Sequence, residues 1–261
     1  MSQKSRSPDS KIPICWLKDL DDLLIWTSYA YSIAFREFYD YMLKLFRYRL
    51  IEIRTLGTIS EKIDLSLRSE MNPKTNGPFG YSRDRFPESL VRTYLWLCEK
   101  GFGRYNELVA DRVRDTGYRA FDPLLYQEQG LVEGAAEVLD LLQSRGDKLV
   151  LLTKGDELVQ RTKIEVLGLE RWFGPEMHIV DDKTVKLFEA MKKKFSGHKL
   201  ISVGNSYNSD IKPALEAGIM GVYIPYHTWA AEPEPEQIDT DGVIVIDRIF
   251  KIFGLLENGR I

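Results

Sequence analysis

The chain has 261 residues, enough for one large α/β domain or for a core with a second, smaller domain. Hydrophobic residues make up 44% of it and charged residues 29%, which is ordinary for a soluble globular protein. The 36 basic residues nearly balance the 39 acidic ones, so the net charge of −3 gives no reason to expect nucleic acid as a partner. No apolar run is long enough to cross a bilayer, and we expect no membrane partner.

The start of the chain and its cysteines bear on location. Residues 1–11 are polar and lack the apolar stretch of a secretory signal, so we predict a flexible tail there. Cys15 falls in a predicted strand and Cys98 in a predicted helix. We expect both cysteines to be buried as free thiols rather than paired in a disulfide. Free thiols fit a reducing compartment, and we therefore expect a cytoplasmic protein.

An acidic pair follows the first predicted strand. The apolar run 14–17 predicts a short buried strand, and Asp19 and Asp21 come at its end. Carboxylates two residues apart on an extended segment point the same way. One of them could act as a nucleophile while the other donates and accepts protons. Crowding two anions is unfavourable unless a cation or a proton relieves it, so the pair also suggests a metal.

The next hundred residues read as helical. Aromatic and aliphatic side chains recur at three- and four-residue spacing from Ser28 to about Leu50, and helices are expected again at 87–100 and near 105–115. The breaker-rich stretch 71–80 predicts an irregular loop. No strand is expected between residues 26 and 126, so this segment is interpreted as a helical insertion.

From Gly130 the pattern changes to strand and helix in alternation. Strands are predicted at 148–152, 177–180, 199–203, 221–224 and 243–246, with helices between them. Such alternation indicates parallel strands joined by right-handed helical crossovers. The predicted fold is α/β, a doubly wound, Rossmann-like parallel sheet formed by 12–27 and 129–261, with a helical cap domain at 28–128 inserted after the first strand.

Polar residues follow four of these strands, at the edge where open parallel sheets keep their chemistry. The candidate site residues are Asp19 and Asp21, then Thr153, Lys154 and Gly155, then Lys183, and finally Asn205 and Asp210. Carboxylates, a hydroxyl, lysines and a glycine-loosened backbone suit the joint binding of magnesium and phosphate. Magnesium prefers oxygen ligands and lysine supplies compact positive charge for phosphoryl oxygens.

Four segments resemble the motifs of the haloacid dehalogenase-like (HAD) hydrolases. They are Asp-Leu-Asp-Asp at 19–22, Leu-Leu-Thr-Lys-Gly-Asp at 151–156, Lys183, and Val-Gly-Asn-Ser-x-x-Ser-Asp-Ile at 203–211. Their order and spacing are also similar, and the helical insertion resembles that family's helical cap. The resemblance implies a hydrolase that removes phosphate from a small phosphorylated metabolite with the help of Mg²⁺. A homodimer through the cap is a further expectation.

The resemblance also implies roles for the candidate residues. Asp19 would be the nucleophile that forms an aspartyl-phosphate, and Asp21 would protonate the leaving group and then activate water. Thr153 and Lys183 would hold the phosphoryl oxygens, beside Lys154 and Gly155. Asp19, Asp210 and the backbone carbonyl of Asp21 would bind magnesium, with Asn205 in support.

Three residues depart from the family pattern. Leu23 stands where a threonine is usual, Asn205 replaces the first acid of the fourth motif, and Lys18 precedes the nucleophile where an apolar residue is typical. Leu23 and Asn205 leave open an alternative, a protein without turnover that acts as a binding or regulatory module. Carbon–halogen hydrolysis is a third hypothesis, and the retention of Asp21 and Asp210 argues against it because that reaction normally dispenses with magnesium.

Overall fold

The structure is a computed structural model that describes residues 12–226 and 241–261; the tail predicted at 1–11 lies outside the described residues. In chain order the elements are β1 (Ile14–Lys18), α1 (Thr27–Leu45), α2 (Ile53–Leu67), β2 (Met71–Asn72), β3 (Gly77–Pro78), α3 (Arg85–Glu99), α4 (Glu107–Tyr118), α5 (Pro123–Gln129), α6 (Ala135–Ser144), β4 (Lys148–Lys154), α7 (Glu157–Val166), α8 (Glu170–Phe173), β5 (Met177–Val180), α9 (Val185–Lys194), β6 (Lys199–Gly204), α10 (Lys212–Glu216), β7 (Met220–Tyr223), β8 (Val243–Val245) and α11 (Ile252–Glu257). None of the helices within the described ranges is long and apolar enough to span a membrane.

The chain divides into two compact units. The core unit contains the described residues of 12–24, 131–154 and 169–261, and the helical unit contains 25–130 and 155–168. The domain boundaries expected from the sequence stay a prediction. Helix α7 groups with the helical unit, and its neighbour there is α5.

The core unit is built on a six-stranded parallel sheet in the order β5-β4-β1-β6-β7-β8. Strand β1 lies in the middle and pairs with β4 on one side and β6 on the other. All five of its residues are buried, as expected for a strand of a sheet covered on both faces. The predicted α/β fold with a doubly wound parallel sheet is thereby confirmed.

One face of this sheet packs against α9 and α10. Cys15 and Leu17 of β1 and Val150 of β4 contact Phe188 and Met191 of α9 in a continuous apolar cluster. Alternate residues of a strand point to opposite faces, so Trp16 and Lys18 of β1 belong to the other face. Both faces of β1 are therefore buried, and Asp19 is the first residue beyond the end of this strand.

The helical unit has a separate apolar core. Phe38 and Met42 of α1, Leu56 of α2, and Leu90 and Tyr94 of α3 are all fully buried there. Fully burying one such side chain contributes about 1.5–3 kcal/mol, which makes tertiary packing the main support of these helices.

The structure corrects several sequence predictions in this region. Segment 71–80 is not wholly irregular, because β2 and β3 pair there as a short antiparallel hairpin. The helix predicted from 28 to about 50 ends at Leu45 and is followed by a separate helix, α2. Helix α2 was not predicted. Helix α5 and, in the core unit, helix α8 were also missed, because elements of seven and four residues carry too little periodicity to be recognised.

Candidate active site

The candidate site lies at the carboxyl edge of the central strands. The backbone N–H of Asp19 donates to the carbonyl of Val203 on β6 at 3.0 Å, which extends the β1–β6 pairing by one residue. This bond fixes the backbone of Asp19 at the strand end, where its side chain retains only 11% exposure. Asp21 follows two residues later and is partly buried.

Lys183 brings two carboxylates together. Its Nζ donates to Asp19 Oδ1 at 2.7 Å and to Asp210 Oδ1 at 2.5 Å, and all three side chains are almost fully buried. These residues come from three separate strand ends, and Lys183 is 164 positions from Asp19 along the chain. The structure thus joins three of the predicted site residues in one hydrogen-bonded cluster.

This cluster carries more negative than positive charge. Burial and the Asp210 carboxylate raise the pKa of Asp19, although the Lys183 ammonium opposes this effect. Burial alone would lower the pKa of Lys183, but the two carboxylates outweigh it and raise that pKa above its usual value. Because one ammonium serves two anions in a poorly solvated place, the site favours a further cation or a proton.

The position of Asp210 depends on a close backbone approach. A Cβ added to Gly204, at the end of β6, would overlap the Asp210 side chain, so only glycine leaves room for this carboxylate. Asp210 lies in a π-helical turn at Tyr207–Ile211, a form that is rare and frequent at functional sites. Its Oδ2 accepts from the Ser206 N–H at 3.0 Å, and its carbonyl accepts from the Ser202 hydroxyl at 2.7 Å.

Lys154, at the end of β4, lies within reach of the same turn. Its Nζ donates to the Ser209 hydroxyl at 2.9 Å and lies 3.6 Å from Asp182 Oδ1. Thr153, just before it, is fully buried. The contact with Ser209 was not predicted, although Ser209 belongs to the segment that carries the fourth motif.

The three residues that depart from the family pattern are all buried. Leu23 is 2% exposed and Asn205 4% exposed, with Asn205 directly after β6. Lys18 is fully buried, its Nζ has no hydrogen-bond partner within the described ranges, and it lies 5.1 Å from the centroid of the Trp16 ring. Burial lowers the pKa of Lys18 to about 7.

The oxygen atoms gathered at this site suit magnesium, although only two of the donors, Asp19 and Asp210, are carboxylates close to one another. Among residues 12–226 and 241–261, no three His, Cys, Asp or Glu side chains gather as a metal site. Magnesium, however, is commonly held by one or two carboxylates, with water and other oxygens completing its shell. Asp19 and Asp210, which share Lys183, supply two such carboxylates, and the excess negative charge favours a cation there.

Comparison with known sequences gives no family assignment. No protein-family model matches the chain, and no curated protein matches it significantly.

Solved structures do match over nearly the whole chain. A haloacid dehalogenase-like family hydrolase from Xanthomonas campestris has a TM-score of 0.67 at 22% identity and covers 98% of this chain and 97% of its own. The HAD-hydrolase YfnB from Bacillus subtilis, bound to magnesium, has a TM-score of 0.60 at 15% identity, covering 95% and 100%. The L-2-haloacid dehalogenase from Xanthobacter autotrophicus has a TM-score of 0.58 at 11% identity, covering 93% and 98%.

At these identities the likeness concerns the fold. The chain has the fold of the haloacid dehalogenase-like hydrolases, with a Rossmann-like core and a cap, and the resemblance seen in its four motifs is confirmed at that level. The fold is shared by hydrolases and dehalogenases, so the reaction must be argued from the site itself.

Proposed function

We propose that this protein is a magnesium-dependent phosphatase that hydrolyses a small phosphorylated metabolite through an aspartyl-phosphate. The observation that carries the proposal is the buried cluster in which Lys183 contacts both Asp19 and Asp210. Its excess negative charge suits a divalent cation, and Lys183 and Lys154 offer positive charge to phosphoryl oxygens. The magnesium bound by YfnB, which has the same fold, supports this choice of cofactor.

The first half-reaction uses both acids of the first motif. An Asp19 carboxylate oxygen attacks phosphorus and forms a P–O bond, while the bond from phosphorus to the leaving oxygen breaks. Asp21 in its protonated form gives its proton to that oxygen, so an alcohol departs. Magnesium, when bound, would neutralise charge on Asp19 and on the phosphoryl group.

The second half-reaction reverses the role of Asp21. Its carboxylate takes a proton from water as the water oxygen attacks phosphorus, and the P–O bond to Asp19 breaks. Inorganic phosphate leaves and Asp19 is regenerated. Lys183 holds Asp19 in position throughout, because its ammonium is itself fixed by Asp210.

The nucleophile can be tested with a carboxylate-to-amide exchange. Asp19→Asn should reduce magnesium-dependent hydrolysis of p-nitrophenyl phosphate at least a thousandfold, because an amide oxygen is a poor nucleophile. Glu189→Gln, the same exchange at an exposed position on α9, is the control and should retain wild-type turnover. Wild-type rates in Asp19→Asn would rule out the covalent mechanism.

A second candidate function rests on Leu23 and Asn205. Both are buried at positions where the family pattern has a hydroxyl and a charge, so the site could bind a phosphorylated ligand without turning it over. This alternative predicts magnesium-supported phosphate binding without hydrolysis of any phosphoester. Chloride release from 2-chloropropionate without magnesium would instead support the dehalogenase alternative, and the same screen should include that substrate.

A further inference from the structure

The Asp156 carboxylate has two separate tasks. One oxygen, Oδ1, caps helix α7 by accepting from the N–H groups of Leu158 at 3.1 Å and Val159 at 3.2 Å. The other oxygen, Oδ2, accepts from the backbone N–H of Arg83 at 3.1 Å. Arg83 lies in the loop before α3 and, like Asp156, belongs to the helical unit. A helix cap needs only one oxygen, so the second bond calls for a separate explanation.

Asp156 is also tightly coupled to the predicted phosphate-binding segment by the chain itself. Only Gly155 separates it from Lys154, so their Cα atoms are at most about 7 Å apart. Gly155 has a φ of 153°, in the region that favours glycine, and a Cβ there would meet the Gln160 side chain at 2.9 Å. A residue with a side chain would be strained at this connection, and the shortness of the connection limits how far Asp156 can move without moving Lys154.

Lys154 has little freedom to absorb such a displacement. Its Nζ is held by the Ser209 hydroxyl at 2.9 Å, and Ser209 is the neighbour of Asp210. A shift in the Lys154 backbone would stretch this contact and move the ammonium relative to the carboxylate cluster. Positioning of catalytic groups is sensitive to displacements of this kind.

We propose that Asp156 is a positioning residue whose bond to the Arg83 N–H fixes the chain directly after the Thr153–Gly155 segment and so limits the conformations open to that segment. It acts through Lys154 and does not itself touch substrate. The proposal rests on the proposed function in one respect, namely that this segment binds phosphate. In this proposal Oδ2 orients the segment through its bond to Arg83, and Oδ1 stabilises helix α7 as its cap.

A serine separates the two tasks. Serine is a good N-cap, but it offers one oxygen where aspartate offers two, so Asp156→Ser should keep the α7 cap and lose the bond to Arg83. Asp122→Ser is the matched control. Asp122 caps α5 through the Leu124 N–H at 3.0 Å and, in the described part of the chain, makes no comparable contact with a distant loop.

Three measurements on the full chain follow. Amide hydrogen exchange should show loss of protection at Arg83 and at residues 153–155 in Asp156→Ser but not in Asp122→Ser. Calorimetry with inorganic phosphate and magnesium should show affinity lowered about tenfold, the scale of one charge-assisted hydrogen bond. With p-nitrophenyl phosphate, KM should rise by a similar factor while kcat changes less than threefold, because ground-state binding is what weakens.

The outcomes separate this proposal from the proposed function. Unchanged exchange at 153–155, or exchange that rises while phosphate affinity is retained, would overturn the positioning role even in an active phosphatase. Equal effects in both serine variants would also overturn it, because they would reduce Asp156 to a helix cap. A wild type that binds no phosphate refutes the proposed function, and exchange at 153–155 then decides the positioning role alone.

Discussion

The buried amine of Lys18 should lower the free energy of unfolding relative to a variant that has an apolar side chain at this position. Replacing Lys18 with Met keeps an unbranched chain of similar length and removes the nitrogen. The pKa of Lys18 falls from its ordinary 10.5 to about 7 because of burial alone, and each pH unit corresponds to about 1.36 kcal/mol. A shift of this size corresponds to a cost of about 4 to 5 kcal/mol to the folded state at pH 7, and Lys18→Met should recover a large part of it.

The sign of the pH dependence gives a sharper test. Between pH 7 and 10.5 the unfolded chain keeps a proton on Lys18 that the folded chain has lost, so stability rises with pH through this range. Going from pH 7 to pH 9 should stabilise wild type by about 2 kcal/mol relative to Lys18→Met. Below the folded pKa of about 7 this difference should level off, because both states are then protonated.

Urea denaturation at several pH values measures both effects. Lys199→Met, at an exposed lysine that begins β6, is the control and should change neither the midpoint nor its pH dependence. The reasoning is refuted if Lys18→Met is no more stable than wild type at pH 7. It is equally refuted if the two proteins show the same change in unfolding free energy between pH 7 and pH 9.

Three further predictions concern the candidate site. Asp210→Ala should weaken magnesium binding, measured by calorimetry, at least tenfold and should abolish most of the activity. Asn205→Ala should have a smaller effect on both, because an amide carries no charge to lose. Equal magnesium affinity in wild type and Asp210→Ala would show that Asp210 is not a metal ligand. Gly204→Ala should reduce turnover by a hundredfold or more, since its Cβ displaces the Asp210 side chain, and a structure of the variant with that side chain unmoved would contradict the steric argument. The double variant Leu23→Thr with Asn205→Asp should raise phosphatase turnover about tenfold, a gain that needs only about 1.4 kcal/mol of transition-state stabilisation. If turnover does not rise, these two residues do not limit the rate.

Local patterns predicted most of the core correctly. The strand predicted at 177–180 has those bounds in β5, and the strands predicted at 148–152 and 199–203 are each only one or two residues longer. Short apolar runs bounded by glycine and polar residues specify such buried strands almost by themselves. The helical insertion was predicted in kind, but its first helix was drawn too long, because aromatic spacing continues past the end of α1.

The sequence by itself determined the strand–helix order and the chemical character of each strand end. Alternating strands and helices specify a parallel sheet through local periodicity and crossover handedness, which is why the Asp, Thr and Lys residues of the four motifs could be assigned to one edge.

Only the tertiary structure decided which of these side chains meet. That Lys183 contacts both Asp19 and Asp210 follows from the strand order β5-β4-β1-β6, which no local pattern encodes. The same is true of the buried Lys18 Nζ, which has no hydrogen-bond partner among residues 12–226 and 241–261, and of the space that Gly204 leaves for Asp210. Contacts between residues far apart in sequence depend on how whole elements pack, and that packing is settled by the burial of many side chains together.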